Sequence, residues 1–247
     1  MNKYEEITNQ CVEWIREWFE KNSKGCNAIL GLSGGKDSTI SAALCVKALG
    51  KDRVIGVAMP DNNQGLNDAD KIAEYLGITF MVAPIGEICD AFSKVRIPGL
   101  LEWSLQTVQN IPPRVRMTML YAIAQTYNGR VSCNCNLSED WLGYSTIFAD
   151  NAGAYAPLAN LTVTEVREIG KVLGLPDKWV NKVPDDGLPN STPDEKKFGF
   201  TYEVLDKYIR TGVCKDKEVK RKIDAMHEKN LFKLDIVRVP AFVPKWE

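Results

Sequence analysis

The residues whose types and spacing most clearly suggest chemistry are Gly31-Leu32-Ser33-Gly34-Gly35-Lys36-Asp37-Ser38. Glycines let successive backbone N–H groups converge on one point, and the serine hydroxyls add donors. A helix starting here would add its unsatisfied N–H groups and positive dipole end, so the string reads as a phosphate site. Two familiar nucleotide loops do not fit. A Walker A loop needs Ser or Thr after Gly-Lys, where this chain has Asp37, and the glycines do not spell Gly-x-Gly-x-x-Gly. An aspartate in an anion-binding loop repels phosphate unless a cation lies between them, which makes Asp37 a Mg²⁺ ligand bridging to phosphate. The plainer alternative is a strand-to-helix turn in which Ser33 and Ser38 only cap the helix.

Such a loop must be held by a strand before it and a helix after it. Ala28 to Leu32 is a short apolar run, and a helical stretch follows from about Ser38 to Leu49, ending at Gly50. Strand patterns recur at 54–59, 78–83 and 131–135, with helical patterns at 68–76 and 162–173. Pro112 and Pro113 can open a helix over 112–127, and Thr162-x-x-Glu165 is a capping box. Ile7, Cys11, Trp14, Ile15, Trp18 and Phe19 form one stripe of an N-terminal helix. Buried strands alternating with helices predict an α/β fold, a doubly wound parallel sheet with a helical C-terminal part, in a single domain over 1–247. The polar, proline-bearing stretch 183–200 reads as a lid loop.

Composition narrows the function classes. Lys plus Arg total 31 against 32 Asp plus Glu, a net charge of −1, which does not favour a sequence-independent nucleic-acid binder. No apolar run reaches the roughly 20 residues of a membrane span, and the N-terminus is too polar for a signal peptide. Seven scattered cysteines read as reduced thiols, so a cytoplasmic protein is expected. The lone histidine, His227, excludes a His-rich metal site and reads as part of a solvated helix face. Cys133-x-Cys135 lacks a second pair at zinc spacing and reads as core. The Lys215–Lys229 stretch interleaves both signs, which favours surface ion pairs.

Ser33-Gly-Gly-Lys-Asp-Ser38 resembles the Ser-Gly-Gly-x-Asp-Ser loop of the N-type ATP pyrophosphatases, which adenylate a carboxylate or carbonyl and let a nucleophile displace AMP. Further stretches resemble NAD synthetase, in its ammonia-dependent form. These are Met59-Pro60, Asn67-Asp68-Ala69-Asp70, Tyr75-Leu76-Gly77-Ile78, Asn110 to Tyr121 with Arg114-x-Arg-Met, Asn136-Leu-Ser-Glu139, Gly143-Tyr-Ser-Thr146, and Ala156 to Val166. The resemblance implies an adenine nucleotide alpha hydrolase-like, Rossmann-like fold and a homodimer. It implies that ATP, deamido-NAD and ammonia give NAD, AMP and pyrophosphate.

By the same resemblance ATP would lie on Gly31, Leu32, Ser33, Gly34, Gly35, Lys36, Asp37 and Ser38, with Met59 and Asn134. Mg²⁺ would lie on Asp37 and Glu139, and deamido-NAD on Arg114 and Lys233. Asp150 is the candidate to bind ammonium and favour its nucleophilic form, with turn capping as its alternative role. The N-terminal stripe and the 112–127 helix are candidates for burial between subunits. Lys182 matches a lysine that precedes the family's lid. Five positions depart from the family pattern: Asn134 for threonine, Ile147 for lysine, Ala154 for an acidic residue, Val163 for lysine and Phe232 for histidine. Ile147 and Ala154 remove groups that would touch the dinucleotide, and Val163 removes a cation near the ATP phosphates. Two rival readings follow, an ATP pyrophosphatase acting on another carboxylate and a non-catalytic ATP-binding protein.

Overall fold

The computed structural model describes residues 2–62, 64–99, 102–182, 193–236 and 242–245. Its centre is a four-stranded parallel sheet of β1 (Asn27–Gly31), β2 (Val54–Ala58), β3 (Thr79–Val82) and β4 (Gly129–Val131), in the order β3-β2-β1-β4. The central strands are short and apolar because both faces are covered, and every residue of β2 is buried, while the edge strand β3 is partly exposed. One face packs on α1 (Lys3–Asn22), α2 (Lys36–Leu49), α3 (Ala69–Leu76) and α7 (Val163–Val172), and the other on α4 (Gly86–Ser93) and α5 (Leu105–Thr126). The chain leaves β1 toward β2 on one side, while β4 returns on the other. The loops after β1 and β4 therefore flank a crevice at the carboxyl end of the sheet, where open α/β sheets bind ligands.

The N-terminal stripe is interior. Ile7, Cys11, Ile15 and Phe19 are buried in the protomer's own core, and Trp18 packs on Tyr155 with centroids 5.0 Å apart. That burial corrects the expectation that the stripe lies between subunits, since its apolar face is already covered by β1, α2 and Tyr155.

The proline pair also behaves differently from expectation. The helix starts seven residues earlier, capped by Ser104, whose hydroxyl accepts from Thr107 N–H at 3.1 Å, and Pro112 and Pro113 lie inside it. The fourth strand ends at Val131, with a single bridge from Ser132 to Tyr155 beyond it. Cys133 and Cys135 are nonetheless buried, against Ala156.

A helical part completes the protein: α6 (Leu137–Trp141), α8 (Asp177–Val180), α9 (Asp194–Phe198), α10 (Tyr202–Thr211) and α11 (Lys217–Ile236). Residues 183–192 of the expected lid lie outside the described residues. Its remainder contains α9, with Asp194, Phe198 and Phe200 buried against Leu142 and Tyr202. Thr162 N–H donates to Glu165 as the capping box predicts, at 2.9 Å, and Arg210 grips the same carboxylate at 2.8 and 2.6 Å. Among the described residues no helix is long and apolar enough to cross a membrane.

Candidate active site

The loop after β1 is shaped by two close approaches. Gly34 has φ +76°, and a Cβ there would lie 1.7 Å from the Asn67 carbonyl oxygen. Asn67 and Asp68 themselves take positive φ, 49° and 71°. Lys182 ties the two sides together, its ammonium donating to Gly34 O at 2.9 Å and Asn67 O at 3.3 Å. The Ser33 and Ser38 hydroxyls lie 3.2 Å apart, and Ser38 Oγ donates to Gly35 O at 3.1 Å. Gly35 is the N-cap of α2, so the helix begins at Lys36, two residues earlier than the sequence pattern suggested. A Cβ at Gly31 would lie 3.4 Å from Met59 Cε, and the Met59 carbonyl accepts from Arg116 Nε at 3.0 Å. Arg116 also reaches Gln64, which places the second arginine of Arg114-x-Arg116 beneath the loop after β2.

The loop after β4 brings its acids to the same place. Asn136 caps α6 through Glu139 N–H at 3.0 Å, and its amide donates to Asp37 Oδ1 at 3.1 Å. Lys36 lies between Asp37, at 2.6 Å, and Glu139, at 3.6 Å. Burial acts against the Lys36 ammonium, but Asp37 and Glu139 outweigh it and hold the group above its ordinary value. Burial, and then the Asp37 charge, push the Glu139 carboxyl up to about 8. Lys36 is the cation set between these two half-buried carboxylates, and a divalent ion arriving with a nucleotide would meet the same oxygens. The donors are hard oxygens, which suit a small divalent ion completed by phosphate and water rather than a protein cage. No cluster of three or more His, Cys, Asp or Glu groups able to hold a metal occurs among the described residues. Lys36 is thus turned toward the acids rather than outward as a phosphate donor.

Asn134 donates to Gly31 O at 3.2 Å, while its own amide oxygen is buried without a partner. That oxygen is thus an acceptor left open beside Gly31, while the amide N–H is already used. Arg114 is exposed and donates to Ile147 O at 3.3 Å, while Asp150 accepts from Thr146 N–H at 2.7 Å. The contact that Asp150 makes is therefore the turn-capping one.

Lys233 donates to Gly143 O at 2.6 Å and Ser145 O at 3.1 Å, folded onto the segment that follows α6. Two further side chains of α11 serve the same segment. His227 Nδ1 lies 2.9 Å from Trp141 O, with its ring stacked on Trp141 at 4.0 Å, and Asn230 donates to Leu142 O at 3.0 Å. His227 therefore does not belong to a solvated face, because α11 packs against α6 and supplies partners for its terminal carbonyls. Gly143 allows the approach, since a Cβ there would lie 2.1 Å from Asn230 Cβ. Replacing Asn230 by Ala removes bonds to Leu142 O and Met226 O. We expect a loss of about 1–2 kcal/mol, or a Tm lower by roughly 2–6 °C, measured by thermal denaturation.

Asp140 belongs to this site and was missed in the sequence, where only its neighbour Glu139 carried a motif. Burial pushes its carboxyl up to about 7 against an opposing hydrogen bond from Ser145, and Asp150 and Lys233 are its charged neighbours.

A parallel sheet with a glycine-serine loop and paired acids at its switch point has the architecture of an α/β nucleotide-binding fold. The comparisons agree with that class. The profile of NAD synthase matches residues 7–238, and the chain belongs to the NAD synthase family. The NH(3)-dependent NAD(+) synthetase of Methanococcus aeolicus is 41% identical over 209 residues, 83% of this chain and 82% of that one. The enzyme of the same name from Finegoldia magna is 39% identical over 209 residues, 83% of this chain and 84% of that one. Among solved structures, NMN synthetase from Francisella tularensis superposes with a TM-score of 0.85 at 29% identity, covering 98% of this chain and 100% of that one. NH3-dependent NAD synthetase from Campylobacter jejuni gives 0.75 at 28% identity, covering 98% and 100%.

Proposed function

We propose that this chain is a ligase that amidates deamido-NAD with ammonia, consuming ATP and releasing AMP and pyrophosphate. The observation that carries the reading is the meeting of Asp37 and Glu139, from the first turns of α2 and α6, beside the glycine-serine loop. A carboxylate is a poor electrophile, and adenylation gives it a leaving group. Backbone N–H groups from Ser33 to Ser38 hold the departing pyrophosphate. Asp37 and Glu139 would hold magnesium, which when bound neutralises charge on the phosphate oxygens. Asn134 offers its acceptor to the nucleotide, and Asp150 receives ammonium near the acceptor carboxylate. Arg114 and Lys233 shape the acceptor side, Lys233 through the carbonyls of Gly143 and Ser145.

A homodimer fits the apolar side chains left exposed on α4 and α5: Ile88, Phe92, Leu105 and Val108. A cytoplasmic location accords with seven free cysteines, six of them buried.

A second reading has a specific observation behind it. The likeness to an NMN synthetase is higher than to the NAD synthetase from Campylobacter jejuni, over the same share of this chain. Ile147, Ala154 and Phe232 depart from the family pattern on the acceptor side. In this reading the acceptor is the mononucleotide carboxylate, which lacks the adenylate half of the dinucleotide.

One assay separates the two. Purified protein receives ATP, magnesium and ammonium, with either deamido-NAD or nicotinate mononucleotide, and products are identified by mass spectrometry. The first reading expects NAD and AMP in equal amounts, with deamido-NAD favoured in kcat/KM. A preference of about tenfold or more for the mononucleotide, 1.4 kcal/mol in transition-state binding, would replace it with the second. AMP with neither acceptor would remove both.

A further inference from the structure

Two of the cations beside the phosphate loop already have partners. Lys36 is held by Asp37 and Glu139, and Lys182 by the carbonyls of Gly34 and Asn67. Arg167 on α7 is different. It makes no hydrogen bond or ion pair with any described residue, and its Nε is buried without a partner. Its place follows from helix packing. α7 presses on α2 at Gly170, where an added Cβ would lie 3.0 Å from Ile40 Cδ1. Stepping back one turn on each helix puts Arg167 alongside Lys36, at the start of α2. The two positive charges are close enough to oppose one another. The other cation of α7, Lys171, pairs with Glu168 at 2.6 Å, and Val163, one turn before Arg167, is buried and uncharged.

A buried guanidinium N–H without an acceptor is unfavourable, so its persistence at the edge of a phosphate loop calls for an anion that arrives with the substrate. The planar fork of arginine suits two oxygens of one phosphate group, whereas Lys36 is already neutralised by its acids. We propose that Arg167 binds the oligophosphate of the nucleotide, gripping the β- and γ-phosphate oxygens that leave as pyrophosphate. This rests on the ATP reading given above. Arg167 then stabilises the negative charge that grows on the leaving group as the adenylate forms.

The test is calorimetric titration of the full chain with ATP, inorganic pyrophosphate and AMP, each with magnesium, for wild type and Arg167→Gln. AMP has no β- or γ-phosphate and serves as the internal control. The substitution should weaken ATP and pyrophosphate by about ten- to a hundredfold, the range of a charge-assisted hydrogen bond, while AMP changes by less than about twofold. Unchanged ATP and pyrophosphate affinity would overturn the proposal and leave the ATP reading standing. Parallel weakening of AMP would also overturn it, because a distorted loop would then be the cause. A wild-type protein that binds none of the three would remove the ATP reading itself. If the glutamine variant does not fold, Arg167→Lys decides. A raised KM for ATP with AMP affinity retained supports phosphate binding, and wild-type values throughout assign Arg167 to the fold alone.

Discussion

Asp37→Asn is expected to lower AMP formation by about 10²–10³-fold while leaving the protein at least as stable as wild type. The two effects have one origin. Asp37 is one of a half-buried pair of acids, and its charge is part of what pushes the Glu139 carboxyl up to about 8. Neutralising it relieves that repulsion, and Lys36 keeps Glu139 as a partner at 3.6 Å. The amide remains in reach of Asn136, so the loop keeps its tie to α6. What disappears is one of the two hard oxygen ligands proposed for magnesium. Single-turnover AMP release measures the first effect, and thermal denaturation with and without magnesium and ATP measures the second. Wild type should gain Tm with the ligands, and the variant should gain little, because stabilisation follows affinity for the folded state. Undiminished AMP release from Asp37→Asn would remove the metal assignment and the proposed site with it.

The second large effect is expected at Gly34. A methyl group there meets the Asn67 carbonyl oxygen at 1.7 Å, in a backbone conformation that side chains rarely adopt. The neighbour is backbone in a strained stretch, held by Lys182, and it cannot turn away like the end of a flexible side chain. Gly34→Ala must therefore displace the phosphate loop, the approach to α3, or both. ATP affinity is expected to fall by about a hundredfold or more, since several backbone donors move together, each worth about 0.5–1.5 kcal/mol. A control separates this clash from backbone strain alone. Gly25 has a similar φ of +75° with nothing within 4 Å of an added Cβ, and it precedes β1, at the opposite end of the strand from the loop. Gly25→Ala should cost about 1–2 kcal/mol of stability and leave ATP affinity intact. Equal ATP binding by the two variants, measured by calorimetry, would show that the close approach at Gly34 has no functional weight.

The alternation of apolar runs with helical stripes was enough to predict the parallel sheet and its covering helices, because strand burial and helix periodicity are local signals. The glycine-serine loop and Asp37 stood out for a similar reason, since glycines, serines and an aspartate in eight residues form one contiguous device, whereas Glu139, far along the chain, was reached only through resemblance. Element edges were less legible. Pro112 and Pro113 looked like a helix start, yet α5 already runs from Leu105, because a Ser104 cap and packing against the sheet sustain a helix through both prolines. β4 ends at Val131, and the buried stretch beyond it, including Cys133 and Cys135, looks the same in sequence as a strand.

Contacts between distant segments were decided only in three dimensions. The sequence by itself determined the fold class, and through resemblance it named Asp37 and Glu139, which the structure brings to the same lysine. It could not show that Lys36 turns inward to sit between those acids, because a side chain's direction depends on what another segment brings to meet it. His227 looked solvated among Lys, Arg and Glu, yet its ring stacks on Trp141, 86 residues away. Lys182 spans 148 residues to reach Gly34, and Gly170 lets α7 press on α2, where an added Cβ would lie 3.0 Å from Ile40. Such placements arise from how helices pack on a shared sheet, and no pattern within one segment records the packing partner.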